Sequence, residues 1–294
     1  MALSRLIEIF IEFLDDKDSS PHTIRNYRGT LVDFTRYLEE EIFNGIAILE
    51  NISIEHLQEY MSYRKKRGNS GKTRANVLVT LRSFWNFLVK RGFTQVNLAN
   101  QLDNIHIQKK ERLYLTISEM KHFLSVIDKP VIYAACSTIC FTGLRVSELC
   151  SLKLDDVNFD RNEITVVCGK GKKDRVIPMN PEIKQILAKY KKKFRNNNSD
   201  NFFSTINSGK LTHQYLNECI HAYAKKAGLN PKLSAHCLRH SFASALVAQN
   251  CPIPVLQRLL GHADLKSSSI YLHTEQSQLV ESVNTLSLKK KEIK

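Results

Sequence analysis

Apolar positions recur along most of this chain every three or four residues, the spacing of an amphipathic helix. Four such stretches follow one another in the first hundred residues, beginning with 3–14. In "SSPHTIRNYRGTLVDFTRYLEE", Ile24, Tyr27, Leu31, Phe34 and Leu38 share one face, Ser20 stands as N-cap and Pro21 takes the first helical position. Ser53 opens a third helix, with Ile54, Leu57 and Met61 inward, which ends at "RKKRGNSG". The fourth runs from Thr73, lines Val77, Leu81, Phe84 and Leu88 on one face and closes at Gly92. The period then fails in "DNIHIQKKERLYLT", which is polar and basic and precedes a capping-box pair, Thr116 and Glu119. The pattern predicts a helical domain over 1–105, a linker over 106–114 and a second domain over 115–294.

The second domain is predicted to be mostly helical with one exception. "ITVV" and "RVIPM" are β-rich and flank a glycine- and lysine-rich segment, which reads as a β-hairpin with Lys170, Lys172, Lys173 and Arg175 at its tip. The Gly-Lys pair is no phosphate loop, because the GxxxxGK[ST] spacing is absent and no helix follows. Near the end, Leu279, Val283 and Leu286 predict a short tail helix over 278–288. The fold class is therefore mainly α, with a small β-sheet or hairpin in the C-terminal domain of a two-domain chain.

Charge changes this picture. The 294 residues hold 43 Lys+Arg against 29 Asp+Glu, a net charge of +14, which points to a polyanionic partner and first to nucleic acid. The surplus is unevenly placed. Residues 1–59 carry 5 basic and 12 acidic side chains, whereas residues 60–102 carry 9 basic and none acidic. Arg64, Lys65, Lys66, Arg67, Lys72 and Arg74 in that stripe, with Lys172, Lys173 and Arg175 on the hairpin, are the candidate DNA contacts. Tyr60, Tyr63 and Trp85 lie near the stripe, where they either stack on nucleotides or pack. No apolar run reaches membrane-spanning length, and the first residues lack the basic start of a signal peptide, so a cytoplasmic protein is expected. The seven cysteines are odd in number, scattered and without a CxxC pair, which suggests neither a zinc site nor a disulfide framework.

The remaining oddities are polar residues in apolar surroundings. "HCLRHSFAS" sets His236, Arg239 and His240 into a stretch that otherwise reads as a core helix. "CFTGLRVSELCSLKLDDV" supplies Arg145 and Glu148 between two helices, and "LLGHADLKSSSIYLH" supplies His262 and, nine residues on, Tyr271. Taken singly, each has an ordinary packing explanation. Together with Lys170 they form a phosphate clamp plus a phenol. Two guanidiniums can bracket a phosphodiester with forked hydrogen bonds. Histidine adds a donor or base, lysine can protonate a departing sugar oxygen, and a tyrosine hydroxyl can attack phosphorus once cations surround it.

These segments resemble the tyrosine recombinases of the Xer/phage-integrase family over nearly the whole chain. The family's R-K-H-R-H-Y set appears in order as Arg145, Lys170, His236, Arg239, His262 and Tyr271, within "TGLRVSEL", "GKGKKDRVIP", "HCLRHSFAS" and "LLGHADLKSSSIYLH". Cys237 departs from the acidic residue usual after the first histidine, at a position outside the six. The resemblance implies a two-domain clamp on double-stranded DNA, a SAM-like helical domain on one side and the catalytic domain on the other. It implies a core site of inverted repeats, a dimer on that site and a four-protomer synapse, formed by this chain alone or with a second recombinase. Tyr271 would form a 3′-phosphotyrosyl link, with no metal or other cofactor. Arg145 and Arg239 would hold the non-bridging oxygens, His236 assist proton removal, Lys170 protonate the leaving 5′-oxygen and His262 donate to the phosphate. Glu148 would steady Arg145, against the plainer reading of a helix ion pair. His240 and His273 are read as structural. Three activities are compatible with this set: site-specific recombination, a type IB topoisomerase activity, or DNA binding without chemistry. Dimer resolution, cointegrate resolution and integration or excision all use the architecture.

Overall fold

The computed structural model describes residues 1–107, 113–167, 174–195, 198–205 and 209–261. The chain divides into two compact units, 1–110 and 111–294. Among the described residues no helix is long and apolar enough to cross a membrane.

Unit one is built on α1 (Leu3–Asp16), α2 (Pro21–Tyr37), α3 (Ile54–Lys66) and α4 (Gly71–Lys90). Its helix starts are set by short polar side chains. Ser20 Oγ accepts from Thr23 N, and Ser70 Oγ accepts from Thr73 N, each at 3.1 Å. The second cap starts α4 two residues before the expected Thr73. Leu31, Phe34 and Leu38 are buried as their spacing predicted, and they meet Leu3, Leu6, Phe10, Leu57, Leu81, Phe84 and Leu88 in one core. Trp85 and Tyr60 are fully buried in that core, edge-on to Phe34, so neither ring is open to stack on a nucleotide.

Unit two holds α5 (Ile117–Ser125), α6 (Pro130–Thr142), α7 (Val146–Ser151), β1 (Val157–Asn158), β2 (Glu163–Val166) and β3 (Arg175–Pro178). It continues with α8 (Pro181–Lys193), α9 (His213–Lys226), α10 (Ala235–Ala248) and α11 (Ile253–Leu260). Thr116 and Glu119 form the capping box at the start of α5. The strands make one antiparallel sheet in the order β1-β2-β3, with Ile164 opposite Ile177 and Val166 opposite Arg175. The expected hairpin is therefore present, with a short third strand on the outer edge of β2.

The centre of unit two is α6, "PVIYAACSTICFT", which is buried around most of its circumference. Its small residues admit close neighbours. Its two threonine hydroxyls turn back to their own helix, Thr138 Oγ1 donating to Ala134 O at 2.7 Å and Thr142 Oγ1 to Thr138 O at 2.5 Å. Burial pushes the Cys140 thiol up to about 12 and raises Cys136 as well, so both are packing groups at neutral pH. Helix α10 lies against α6, and α11 rests on α10 through Leu256 and Leu260 against Phe242.

Candidate active site

The α6–α7 corner sets the first arginine. After Thr142 the chain turns through Gly143 in the left-handed conformation, φ 65°. A Cβ there would run into the Phe242 ring and come within 2.9 Å of Leu260 Cδ2, so only glycine suits the turn. Two residues on, Arg145 N-caps α7, and its backbone N–H donates to Glu148 Oε2 at 2.7 Å. Glu148 occupies the third helical position, where a carboxylate can reach back to the cap. The same spacing lets the Arg145 guanidinium reach Glu148 Oε1 at 2.8 Å.

Glu148 is shared. Arg175 grips it with a fork, Nη1 to Oε1 at 2.9 Å and Nη2 to Oε2 at 2.8 Å. Arg239 Nη1 lies 3.9 Å from Oε2. Burial alone would raise the Glu148 carboxyl. The hydrogen bonds and charges of Arg175 and Arg145 outweigh that and hold it at about 2. Glu148 is thus a fixed anion among three guanidiniums.

The same three side chains meet again at the end of α11. Helix C-termini leave carbonyls without partners, and the helix dipole favours cations there. Arg175 Nε donates to Leu259 O at 3.1 Å, Arg239 Nη2 to Leu260 O at 2.7 Å, and Arg145 Nη2 to Gly261 O at 3.1 Å. Arg239 also donates from Nη1 to Gly143 O at 2.6 Å, tying the α6 corner to the same centre. Three successive carbonyls thus bind three arginines, one residue before His262.

Exposure separates the roles. The Arg145 side chain is 38% exposed, while those of Arg175 and Arg239 are 8% and 3%. Arg145 spends two of its five N–H donors on the contacts given, which leaves donors at the surface for an anion. His236 is exposed on the first turn of α10, its ring edge-on to buried His240 with centroids 4.4 Å apart. Lys170, Lys172, Lys173, His262, Tyr271, His273 and the tail helix expected over 278–288 lie outside the described residues.

Two of the expected DNA contacts, Arg175 and Arg64, are instead bound within the fold. Arg175 was placed at the hairpin tip as a DNA contact, but it is the first residue of β3 and its side chain is buried on Glu148 and Leu259. The signal was in the sequence. Arg175 lies two residues before Ile177, so strand alternation sets both on the inward face.

The basic stripe of unit one also sorts by geometry. Arg64 is bound to Asp33 and to the Tyr60 hydroxyl, and its side chain is only 17% exposed, so it serves the core rather than the surface. Arg82 donates to Ala99 O, Leu102 O and Asn104 Oδ1, pinning the segment that ends the unit. Lys65, Lys66, Arg67 and Lys72 are exposed around the α3–α4 turn, and Arg74 is half-buried beside them. Lys72 and Arg74 stand in the first turn of α4, which has no acidic residue there. The dipole disfavours cations at that end, so their placement does not serve the helix.

Comparisons with known proteins show the family. The phage integrase family model matches residues 114–278, and the phage integrase N-terminal SAM-like domain matches residues 7–92. The chain belongs to the phage integrase family, and within it to the tyrosine recombinases, enzymes of site-specific recombination that cut and rejoin DNA. Among its relatives, it is 31% identical over 283 residues to the tyrosine recombinase XerC of Thermodesulfovibrio yellowstonii, covering 90% of each chain. It is 30% identical to a tyrosine recombinase of Pseudothermotoga lettingae, covering 97% of this chain and 99% of that one. Its fold is similar to that of the Tn1549 transposon integrase bound to transposon right-end DNA, with a TM-score of 0.79 at 20% identity over 97% and 99% of the two chains. It is also similar to the XerH site-specific recombinase bound to palindromic difH DNA, with a TM-score of 0.71 at 26% identity over 91% and 81%. Relatives that are recombinases favour the first of the three activities considered.

Proposed function

We propose that this chain binds a DNA core site of two inverted repeats as a dimer, pairs two such sites in a tetramer, and exchanges strands through Tyr271. The reading rests on one observation above all. Arg145 and Arg239 are locked to a shared carboxylate and to the chain end that leads into His262, so the phosphate-binding groups are set before DNA arrives. In the reaction, the Tyr271 hydroxyl attacks the scissile phosphorus while its proton passes to His236. Arg145, Arg239 and His262 hold the non-bridging oxygens. The P–O5′ bond breaks, and Lys170 protonates the departing oxygen, leaving a 3′-phosphotyrosyl ester and a free 5′-hydroxyl. Attack by the 5′-hydroxyl of the partner duplex reverses these steps. The ester conserves the bond energy, so the cycle needs no external energy source. Lys65, Lys66, Arg67, Lys72 and Arg74 grip the backbone from the SAM-like domain, with Lys172 and Lys173 on the catalytic domain. The relatives XerH, bound to a palindromic substrate, and λ integrase, a dimer on a core site, support this arrangement. Footprinting on the DNA flanking its own gene should protect two arms in inverted orientation around a short centre. Uniform protection without such a repeat would refute site-specific dimer binding.

A further inference from the structure

Resting on that reading, we propose that Arg175 is a positioning residue for DNA cleavage, which sets the phosphate-binding arginines through Glu148 and the end of α11. Three observations carry it. Arg175 is buried and forked onto both oxygens of Glu148, the carboxylate that also holds Arg145 through its guanidinium and its backbone N–H. A fork fixes the carboxylate plane as a single bond cannot. Its remaining edge, Nε, binds Leu259 O, next to the carbonyls that hold Arg239 and Arg145. The contact is also close by construction. Gly261 is left-handed, φ 61°, and a Cβ there would sit 2.8 Å from Arg175 Nη1, so the chain keeps this position bare where the guanidinium passes.

Position explains why this matters. Arg175 begins β3, the strand that leaves the lysine-bearing turn, while α11 leads into the segment of His262 and Tyr271. One guanidinium thus ties the carboxylate that holds Arg145 to the helix end that holds Arg239. Its effect in this account passes through Glu148 and Leu259.

The test compares Arg175→Met, Arg175→Lys, Glu148→Gln and the double variant Glu148→Gln/Arg175→Met in the full chain. For each, thermal melting, affinity for the footprinted site and single-turnover cleavage of a nicked suicide duplex are measured. Arg175→Met should bind within about 3-fold of wild type yet cleave about 100-fold more slowly, the scale of losing one preorganised donor. Arg175→Lys keeps the charge but not the fork and should recover no more than about tenfold of that loss. Glu148 also holds Arg145 and lies beside buried Arg239, so the double variant should melt no higher than Glu148→Gln alone. Cleavage should stay low, and the double variant should lie within about 3-fold of Glu148→Gln alone, since effects passing through one partner do not multiply. The proposal is overturned if Arg175→Met cleaves at the wild-type rate. It is equally overturned if affinity and cleavage fall by the same factor, which marks a DNA contact, or if the double variant regains cleavage with its melting temperature, which marks a plain ion pair. Absence of any covalent adduct with the wild-type chain overturns the recombinase reading itself, whereas an adduct with an unimpaired Arg175→Met overturns this inference alone.

Discussion

At the residue scale the site is organised by charge that cannot be moved cheaply. Arg175 and Arg145 hold the Glu148 carboxyl at about 2, so it is ionised at neutral pH. This carboxyl is lower in the folded chain than in the unfolded one, so its stabilising effect is full above the ordinary carboxyl value and is lost as pH falls towards 2. Wild type should therefore melt well above Glu148→Gln at pH 7, by on the order of 3 kcal/mol, and the gap should close between roughly pH 5 and pH 2. Melting curves at four pH values would show it, and a gap independent of pH would remove Glu148 from the acid transition. Lys170 is tested by its proton. A substrate with sulfur at the bridging 5′ position leaves as a thiolate and needs no acid. Lys170→Ala should lose about 100-fold or more on the normal substrate and far less on the sulfur one. Rescue of Lys172→Ala instead would reassign the acid. His236 and Arg239 were legible in the sequence because polar groups on an apolar helix demand a partner, and Arg145 because a capping-box spacing joins it to Glu148. Arg175 was not legible in the same way, because the neighbouring lysines gave it the look of a solvated turn while only the Arg175/Ile177 alternation marked it as inward.

At the element scale the helices of unit one could be read from period and caps, and Ser20, Ser53 and Ser70 stand where the helices begin. The π-helical turn at Leu38–Ile42 was not legible, since it continues α2 without a break in the apolar pattern. Strand β1, two residues long, is too short to show alternation. The corners of unit two depend on glycine for reasons that differ from those in unit one. Gly143 is left-handed and closely packed, whereas Gly68 is left-handed with nothing within 4 Å of a Cβ. Gly68→Ala should therefore cost only the backbone strain, about 1 kcal/mol. Gly143→Ala adds a collision with Phe242 and Leu260 and should cost more than about 2 kcal/mol, a fall of roughly 4–8 °C in Tm. Calorimetry on the two variants checks the order. Equal losses would mean that the α6 corner relaxes and does not fix Arg145 and Arg239.

At the scale of the whole molecule, the net charge pointed to nucleic acid before any motif did, but not every cation in the stripe serves it. Arg64 and Arg82 are bound to Asp33 and to backbone carbonyls, while Lys65, Lys66, Arg67 and Lys72 face solvent. Each phosphate contact adds about 0.9 to the slope of log affinity against log salt. Replacing the four exposed cations with alanine should flatten that slope by about 3.6. Arg82→Ala should lower the stability of unit one and leave the slope nearly unchanged. Fluorescence anisotropy across a salt series separates the two, and an unaltered slope in the quadruple variant would make the α3–α4 turn a solvated surface. The central claim is that Tyr271 is the nucleophile of a DNA-rejoining enzyme, and a covalent adduct tests it most directly. Wild-type protein on a nicked suicide duplex carrying its own site should give a denaturant-resistant complex, and peptide mapping should place the nucleotide on Tyr271. Tyr271→Phe keeps the ring and removes only the hydroxyl, so it should bind the same duplex within about 2-fold and give no adduct. An adduct formed by Tyr271→Phe, or one mapped to another residue in the wild-type chain, would contradict the account.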